Sequence, residues 1–372
     1  MARVLLAGGG TAGHVNPLLA TAEELLLRGH DVAALGTSRG LEADLVPDAG
    51  IDLHFVPRVP LPRRPSVDLL KLPSRLLAAV AAAGRALDAL DADVVVGFGG
   101  YVSTPAYLAA RRRRIPVVVH EGNARPGIAN RIGARWAAAV AVTFADTPLR
   151  AAEVTGLPMR SAITRLAQQL RDPASGEALR AGARESWGWA YDAPTLLVTG
   201  GSTGAASLNA VTAAAVERLV QHGIHVLHLT GKGKSEGAER AKGNLSAVHR
   251  DMYVIREYVP DMETAFAAAD AVMCRAGANT VCEVSALGIP AVYVPLPHGN
   301  GEQALNAKDA VDAGAARIID DVDLTVTSLE LAVERLVLDR KAREAARAAA
   351  SEMGIVDGAQ RLTDVIERVL ST

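Results

Sequence analysis

One histidine stands out by its position. His14 closes the run Gly8-Gly9-Gly10-Thr11-Ala12-Gly13, just after an apolar stretch, Val4 to Ala7, and just before an amphipathic one, Pro17 to Arg28. An imidazole with an ordinary pKa of about 6.5 can accept a hydroxyl proton at neutral pH. Glycines at a helix start let the backbone approach a ligand and offer N–H groups to an anion. The pattern predicts strand, loop and helix, with Asn16 as cap and Pro17 as first helical residue. The run also spells the Gly-x-Gly-x-x-Gly dinucleotide fingerprint, which wants a carboxylate about 20 residues on. The second apolar stretch, Asp31 to Leu35, ends in Gly36-Thr37-Ser38-Arg39 without an acid. Arg39 suits a 2′-phosphate, so an NADP oxidoreductase stays open here, beside a purely structural turn.

Other loops carry similar residue types. Gly97-Phe98-Gly99-Gly100-Tyr101 and His120-Glu121-Gly122-Asn123 each follow an apolar run, with Thr104 and Pro105 read as cap and first residue of a helix. In the second half, Gly200-Gly201-Ser202-Thr203-Gly204-Ala205 precedes a helical pattern and suits a phosphate. Arg275-Ala276-Gly277-Ala278 leads into a helix that carries Glu283, whose carboxylate can accept hydrogen bonds from two ribose hydroxyls. Gln303 and Asn306 fall in a polar stretch, Pro295 to Asn306, with His298 and Asn300, and amides suit sugar hydroxyls. Each has a plain alternative: a surface glutamate, or an asparagine capping a loop. No metal site is expected, since Cys274 and Cys282 have no metal-ligand spacing.

Positioning such loops takes a regular scaffold. Short apolar runs alternate with helical stretches at Val4–Ala7, Asp31–Leu35, Asp52–Val56, Asp93–Val96, Val117–His120 and Ala139–Thr143. The pattern restarts at Thr195–Thr199, His225–Leu229, Tyr253–Arg256, Ala271–Cys274 and Ala291–Val294. Apolar strands between helices imply parallel α/β sheets with ligands beyond the carboxyl ends of their strands. The 372 residues suit two such domains, with the break near 158–165. The expected division is 1–160, 161–345, and a last helical segment 346–372 returning to the first domain. Aromatics are only 3%, which argues against a base-stacking nucleic-acid surface and requires cores of Ala, Val and Leu. The first 160 residues carry 18 Lys+Arg against 14 Asp+Glu, the remainder 21 against 27. A basic first half hints at an anionic partner. Its basic and apolar stretches at 58–85, with Arg63, Arg64 and Lys71, and Arg111 to Arg114 fit either an anionic lipid surface or simple solvation and helix-dipole compensation. Met1-Ala2-Arg3 runs at once into the first strand, so no signal peptide is expected. No apolar run approaches the length of a membrane span.

Taken in order, these motifs resemble the MurG family: Gly-x-Thr-x-Gly-His, Gly-Phe-Gly-Gly-Tyr, His-Glu-x-Asn, Gly-Gly-Ser-x-Gly-Ala and Arg-x-Gly-Ala-x-Thr-x-x-Glu, then Gln303 and Asn306. The resemblance covers essentially the whole chain. It implies an α/β GT-B glycosyltransferase, two Rossmann-like domains facing across a cleft. The implied reaction is inverting transfer of N-acetylglucosamine from UDP-N-acetylglucosamine to lipid I, forming lipid II for peptidoglycan, without a cofactor. The implied location is peripheral, on the anionic cytoplasmic face of the membrane, with no nucleic-acid partner. His14 is the implied base, with His120 as alternative. The acceptor falls to Thr11, Ala12, Gly13, Tyr101, His120, Glu121 and Asn123. The nucleotide sugar falls to Arg160, Ser202, Val259, Ala278, Asn279, Thr280, Val281, Cys282, Glu283, Gln303 and Asn306. Ala12, Gly122, Arg125-Pro126 and Asn279 depart from the family pattern. An antibiotic-tailoring glycosyltransferase and a UDP-sugar epimerase share the implied fold.

Overall fold

A computed structural model describes residues 1–59, 68–298 and 300–372. The chain forms two compact units, Met1–Arg160 with Asp357–Thr372, and Ser161–Val356. The first unit is built on strands β1 (Arg3–Gly8), β2 (Asp31–Gly36), β3 (Asp52–Phe55), β4 (Val94–Gly99), β5 (Val117–Glu121), β6 (Ala139–Val142) and β7 (Ala152–Val154). Its helices are α1 (Ala12–Leu27), α2 (Glu42–Asp48), α3 (Asp68–Leu90), α4 (Gly100–Arg113) and α5 (Ile128–Gly133). All seven strands are parallel, in the order β3-β2-β1-β4-β5-β6-β7.

The second unit opens with α6 (Ser161–Arg171) and α7 (Pro173–Ser186), then β8 (Thr195–Thr199), α8 (Ala206–Gln221), β9 (His225–Leu229), α9 (Glu236–Asn244) and α10 (Ala247–Arg250). It continues with β10 (Tyr253–Arg256), α11 (Met262–Ala268), β11 (Ala271–Cys274), α12 (Ala278–Ala286), β12 (Ala291–Tyr293) and α13 (Glu302–Asp312). It closes with β13 (Ala316–Ile318), α14 (Val326–Val337) and α15 (Arg340–Met353). These six strands are also parallel, ordered β10-β9-β8-β11-β12-β13. The last helix, α16 (Gly358–Leu370), belongs to the first unit. The chain therefore changes over near 354–357, and α15 stays with the second unit rather than returning from 346 onward.

Each sheet is covered on both faces, which is why its central strands are apolar without alternation. β4 is buried along its whole length, as are β5 and β8. One face of the first sheet packs α3 and α4 through Ala83, Leu87, Ala106 and Tyr107; the other packs α1 and α16 through Leu18, Leu25, Leu362 and Ile366. Alanine and valine dominate because close helix–sheet packing leaves room for few rings; Tyr107, Tyr253, Tyr293 and Phe266 are among the fully buried ones.

Two helix starts differ from expectation. α1 begins at Ala12 behind an extended Thr11, with the His14 and Val15 N–H groups bonded to Thr11 O, so Asn16 is no cap and Pro17 lies inside. α4 likewise begins at Gly100 and encloses Pro105. A proline near a helix start forfeits only the bond its missing N–H would have made one turn back. The flanking turns carry the helix on. Pro173 does occupy a first helical position, behind Asp172, whose carboxylate accepts from the Ser175 N–H at 2.9 Å. The short edge strands β7 and β13 have too few residues to show a pattern and were not expected.

Leu362 and Ile366 sit fully buried where α16 crosses the first sheet. Leu362→Ala is expected to destabilise the protein by about 2–5 kcal/mol, the usual cost of such a cavity. Urea denaturation checks this, and an unchanged midpoint would show that α16 is not part of that core.

Candidate active site

In each sheet the strand order reverses beside the first strand, between β1 and β4 and between β8 and β11. Connections diverge there and leave a crevice at the carboxyl ends, the usual binding place in such folds. The glycine loops of the sequence fall at these two points.

In the first unit, β1 feeds the loop Gly9 to Thr11, and β4 ends against it. The pairing slips at this end, from Ala7↔Gly97 to Gly8↔Gly99. Gly99 and Gly100 both hold positive φ, +96° and +74°. A Cβ on Gly99 would lie 3.2 Å from His14 Nε2, and one on Gly100 only 2.7 Å from Gly9 O. The glycines thus let the two loops meet around the imidazole. His14 Nδ1 lies 3.2 Å from Gly9 O and 3.1 Å from Thr11 Oγ1. A carbonyl only accepts, so Nδ1 carries the proton and Nε2 keeps its lone pair. Burial pushes the His14 pKa below its ordinary value, against the opposing pull of Glu121, Gly9 O and Glu42. The ring is therefore neutral near pH 7, the form a base requires. The Tyr101 ring flanks Gly10, with the Arg58 guanidinium 5.1 Å from its centroid.

Two buried carboxylates hold this edge. Glu42, fully buried, accepts from Gly10 N at 2.9 Å, Thr37 N at 3.1 Å and Thr37 Oγ1 at 2.8 Å. Burial works to raise its pKa, but these bonds and its own N–H outweigh it and hold the group below the usual range. Glu121, 3% exposed, accepts from Asn123 N and Gly127 N, both at 2.9 Å, and from Asn130 Nδ2 at 3.0 Å. Asn130 also donates to His120 O and accepts from Tyr107 Oη. Ser103 Oγ accepts from Gly99 N at 2.9 Å. Glu42, Asn130 and Ser103 were not singled out in the sequence because nothing local marks a helical acid or amide as buried.

His120 and Glu121 act here as supports. His120 is 1% exposed and donates Nε2–H to Gly156 O at 3.0 Å, and burial drives its pKa to about 4. With its Nε2 proton committed to a carbonyl, it is poorly placed to be the alternative base. Thr11, Gly13 and the partly exposed Ala12, His14, Tyr101 and Asn123 present the accessible surface of this edge. Gly10 N–H, the donor a dinucleotide would need, is taken by a carboxylate. This disfavours the NADP reading.

The second unit repeats the geometry with different charges. Ser202 is exposed in the loop after β8, and Lys234 Nζ reaches Thr203 O at 2.7 Å. Arg275, after β11, ties three strand ends together. Its guanidinium donates to Val294 O and Pro295 O at 3.1 Å, to Ser207 Oγ at 2.9 Å and to Asp321 Oδ1 at 2.5 Å. Ser207 donates to the same carboxylate oxygen at 2.6 Å. Burial opposes the ionised Asp321, yet the bonds from Ser207 and Arg275 hold its pKa low. α8 and α12 start here behind Ala205 and Gly277 without side-chain caps, so their N-terminal dipoles face the crevice.

α12 carries Ala278 to Glu283. Ala278 and Val281 are buried, whereas Asn279, Thr280, Cys282 and Glu283 are partly exposed. Burial, then the Glu283 charge, pushes the Cys282 thiol up to about 12, so it is no nucleophile. Gln303 and Asn306 lie on α13, not in a loop as expected; the helix starts at Glu302. Gln303 Oε1 accepts from Leu296 N at 2.9 Å, and the buried Asn306 donates to Ala276 O at 3.2 Å. Val259 is buried in the turn after β10. Arg160, partly buried, ends the first unit's main segment.

Of the basic stretch, Arg63 and Arg64 lie outside the described residues, as does the side chain of Lys71. Arg113 pairs with Asp88 at 2.6 Å, and the Arg111 guanidinium stacks 4.8 Å from the Trp136 centroid. Arg112 and Arg114 are exposed. No helix among the described residues is long and apolar enough to cross a membrane.

Two doubly wound parallel sheets, each with uncapped helix starts and polar loops at its reversal point, define the GT-B class of glycosyltransferase. Family models for the glycosyltransferase family 28 N-terminal and C-terminal domains match residues 4–142 and 195–362. A Nocardioides protein named UDP-N-acetylglucosamine--N-acetylmuramyl-(pentapeptide) pyrophosphoryl-undecaprenol N-acetylglucosamine transferase is 51% identical over 98% of this chain and 97% of its own. The crystal structure of Acinetobacter baumannii MurG is similar over 99% of this chain and 100% of that one, at 30% identity and TM-score 0.77. The calicheamicin glycosyltransferase CalG4, at 21% identity and TM-score 0.69 over 100% of this chain and 98% of that one, shares the fold alone. The chain belongs to the MurG family within glycosyltransferase family 28.

Four imidazoles are held below the ordinary 6.5, each chiefly by burial: His14, His225, His120 at about 4, and His228 at about 4. The unfolded chain binds their protons below 6.5 while the fold does not. Their stabilisation is complete above 6.5 and drains as pH falls below it, for His120 and His228 by about 1.4 kcal/mol per pH unit down to about 4. Urea titrations at pH 7, 6 and 5 should show progressively lower midpoints; a flat profile would contradict this burial. Glu42→Gln should remove the charge that Gly10 and Thr37 bond to, at about 1–3 kcal/mol. Equal stability of the variant in the same titration would refute the support role.

Proposed function

We propose that this chain transfers N-acetylglucosamine from UDP-N-acetylglucosamine to lipid I, producing lipid II in peptidoglycan synthesis. Family membership over nearly the full chain supports the reaction. The observation that carries the mechanism is the His14 ring, protonated on Nδ1 toward Gly9 O and basic at Nε2. The acceptor sugar hydroxyl gives its proton to Nε2 as its oxygen attacks the anomeric carbon. The bond from that carbon to UDP breaks in the same displacement, inverting the configuration. A neutral imidazole contributes roughly 10²–10⁴-fold in such a step.

In this reading the first unit takes the acceptor through Thr11, Ala12, Gly13, Tyr101 and Asn123, with His120 and Glu121 holding the loops. The second unit takes the donor. The helix starts of α8 and α12, near Ser202 and Ala278 to Thr280, stabilise charge on the departing diphosphate. Glu283 accepts from the ribose hydroxyls, backbone at Val259 meets the uracil, and Gln303 reaches the sugar. Val281, Cys282 and Asn306 shape that wall, and Arg160 lies near the nucleotide. The acceptor is a membrane lipid, so the enzyme works peripherally at the anionic cytoplasmic face, with the basic residues of the first unit toward the headgroups.

With a lipid I analogue, UDP release should rise sharply over the acceptor-free rate. His14→Ala should lower kcat by about 10²–10⁴-fold with UDP affinity retained. A folded variant with near-normal kcat would end the base assignment. Glu283→Gln should instead raise KM for UDP-N-acetylglucosamine about tenfold, the scale of one lost charged hydrogen bond. An unchanged KM would remove Glu283 from the ribose.

A further inference from the structure

The second unit holds a cavity of about 760 Å³ that the transfer reaction does not use. Pro194, Asp270 and Gly288 line it, and these residues stand just before β8, β11 and β12. It therefore opens at the amino ends of the strands, the opposite edge of the sheet from Ser202 and Glu283. Its other walls come from α6, α7 and α15.

The lining is dominated by guanidinium groups. Arg184 and Arg347 bond Asp270 at 2.9 and 2.8 Å, and Arg343 Nε stands 3.6 Å from it. Asp270 Oδ2 also accepts from Thr195 N at 3.0 Å. Arg180 makes no ion pair among the described residues; its hydrogen bond is a long one, 3.4 Å to Ala269 O. Burial, then repulsion from Arg347, lowers the Arg180 pKa to about 9, with Asp270 pulling the other way and Arg184 and Arg343 adding to the repulsion. The Nε atoms of Arg343 and Arg347 are buried without a hydrogen-bond partner. Three arginines thus share one deep carboxylate, and Arg180 lines the same wall. Glu177, Asp192 and Glu344 also line the cavity, against Arg171 and Arg340, so the whole lining keeps an excess of positive charge. Like charges held this close in a partly desolvated wall repel one another, and an anion relieves that repulsion. Guanidinium groups with uncommitted N–H donors match phosphate oxygens in pairs. The volume fits a small-molecule site, and Leu170, Ala286 and Leu287 give it an apolar portion.

We propose that this cavity is a second, non-catalytic ligand site that binds a small organic phosphate through Arg180, Arg343 and Arg347. Inorganic pyrophosphate is the minimal probe. Isothermal titration of the full chain, alone and saturated with UDP, should show one saturable pyrophosphate site that UDP does not displace. Arg180→Glu should weaken that binding at least tenfold and Arg180→Ala at least threefold, with UDP affinity unchanged within twofold. Arg180 holds no ion pair among the described residues, so both variants should fold. Glu177→Gln, which removes an opposing charge from the wall, should tighten binding at least twofold. Absence of saturable binding in either state, full displacement by UDP, or affinities indifferent to Arg180→Glu and Glu177→Gln would each overturn the site. A chain that failed to bind UDP would bear on the transferase reading and leave the pyrophosphate result to be judged by itself.

Discussion

A carboxylate buried in a protein needs donors around it, and this requirement shapes the edge of the first unit that carries His14. Glu42 and Glu121 are buried; Glu42 gathers N–H groups from the β1 loop and from Thr37, and Glu121 from the loop and helix that follow β5. Remove the charge and those N–H groups lose their partners together. The glycine loop at β1 and the loop after β5 are thereby fixed, and His14 is held between Gly9 O and the β4 end. The position of the imidazole is thus a consequence of electrostatics one layer below it.

The two units share a strand order but not a charge pattern, and that difference assigns their roles. In the first, a buried acid takes the loop N–H that a diphosphate would use. In the second, the corresponding loops lie beside Lys234 and the Arg275–Asp321–Ser207 cluster, with two uncapped helix starts facing outward. Phosphate is favoured in the second setting and opposed in the first. A glycine fingerprint by itself does not separate these cases, because glycine specifies close approach and not the sign of the field.

The second unit carries a further asymmetry between its two edges. At the carboxyl edge, cations and anions are matched around Asp321. At the amino edge, several arginines converge on Asp270 with too few acids to balance them. α6 begins at Ser161 and α15 ends at Met353, so the helices around this unbalanced wall border both places where the chain passes between units.

The sequence by itself determined the repeating strand–loop–helix order, the parallel sheets, the loops at their carboxyl ends and the family, because apolar runs and glycine motifs are local patterns. Ser202, Glu283 and His14 were legible as members of such motifs. The tertiary structure decided which motif residues face outward and which are struts. His120 and Glu121 turned inward, Gln303 and Asn306 proved helical, and Pro17 and Pro105 fell inside helices whose starts lie upstream. Glu42, Asn130 and the arginines around Asp270 became visible only there. Their significance lies in burial and in partners distant along the chain, and neither is written in the spacing of neighbouring residues.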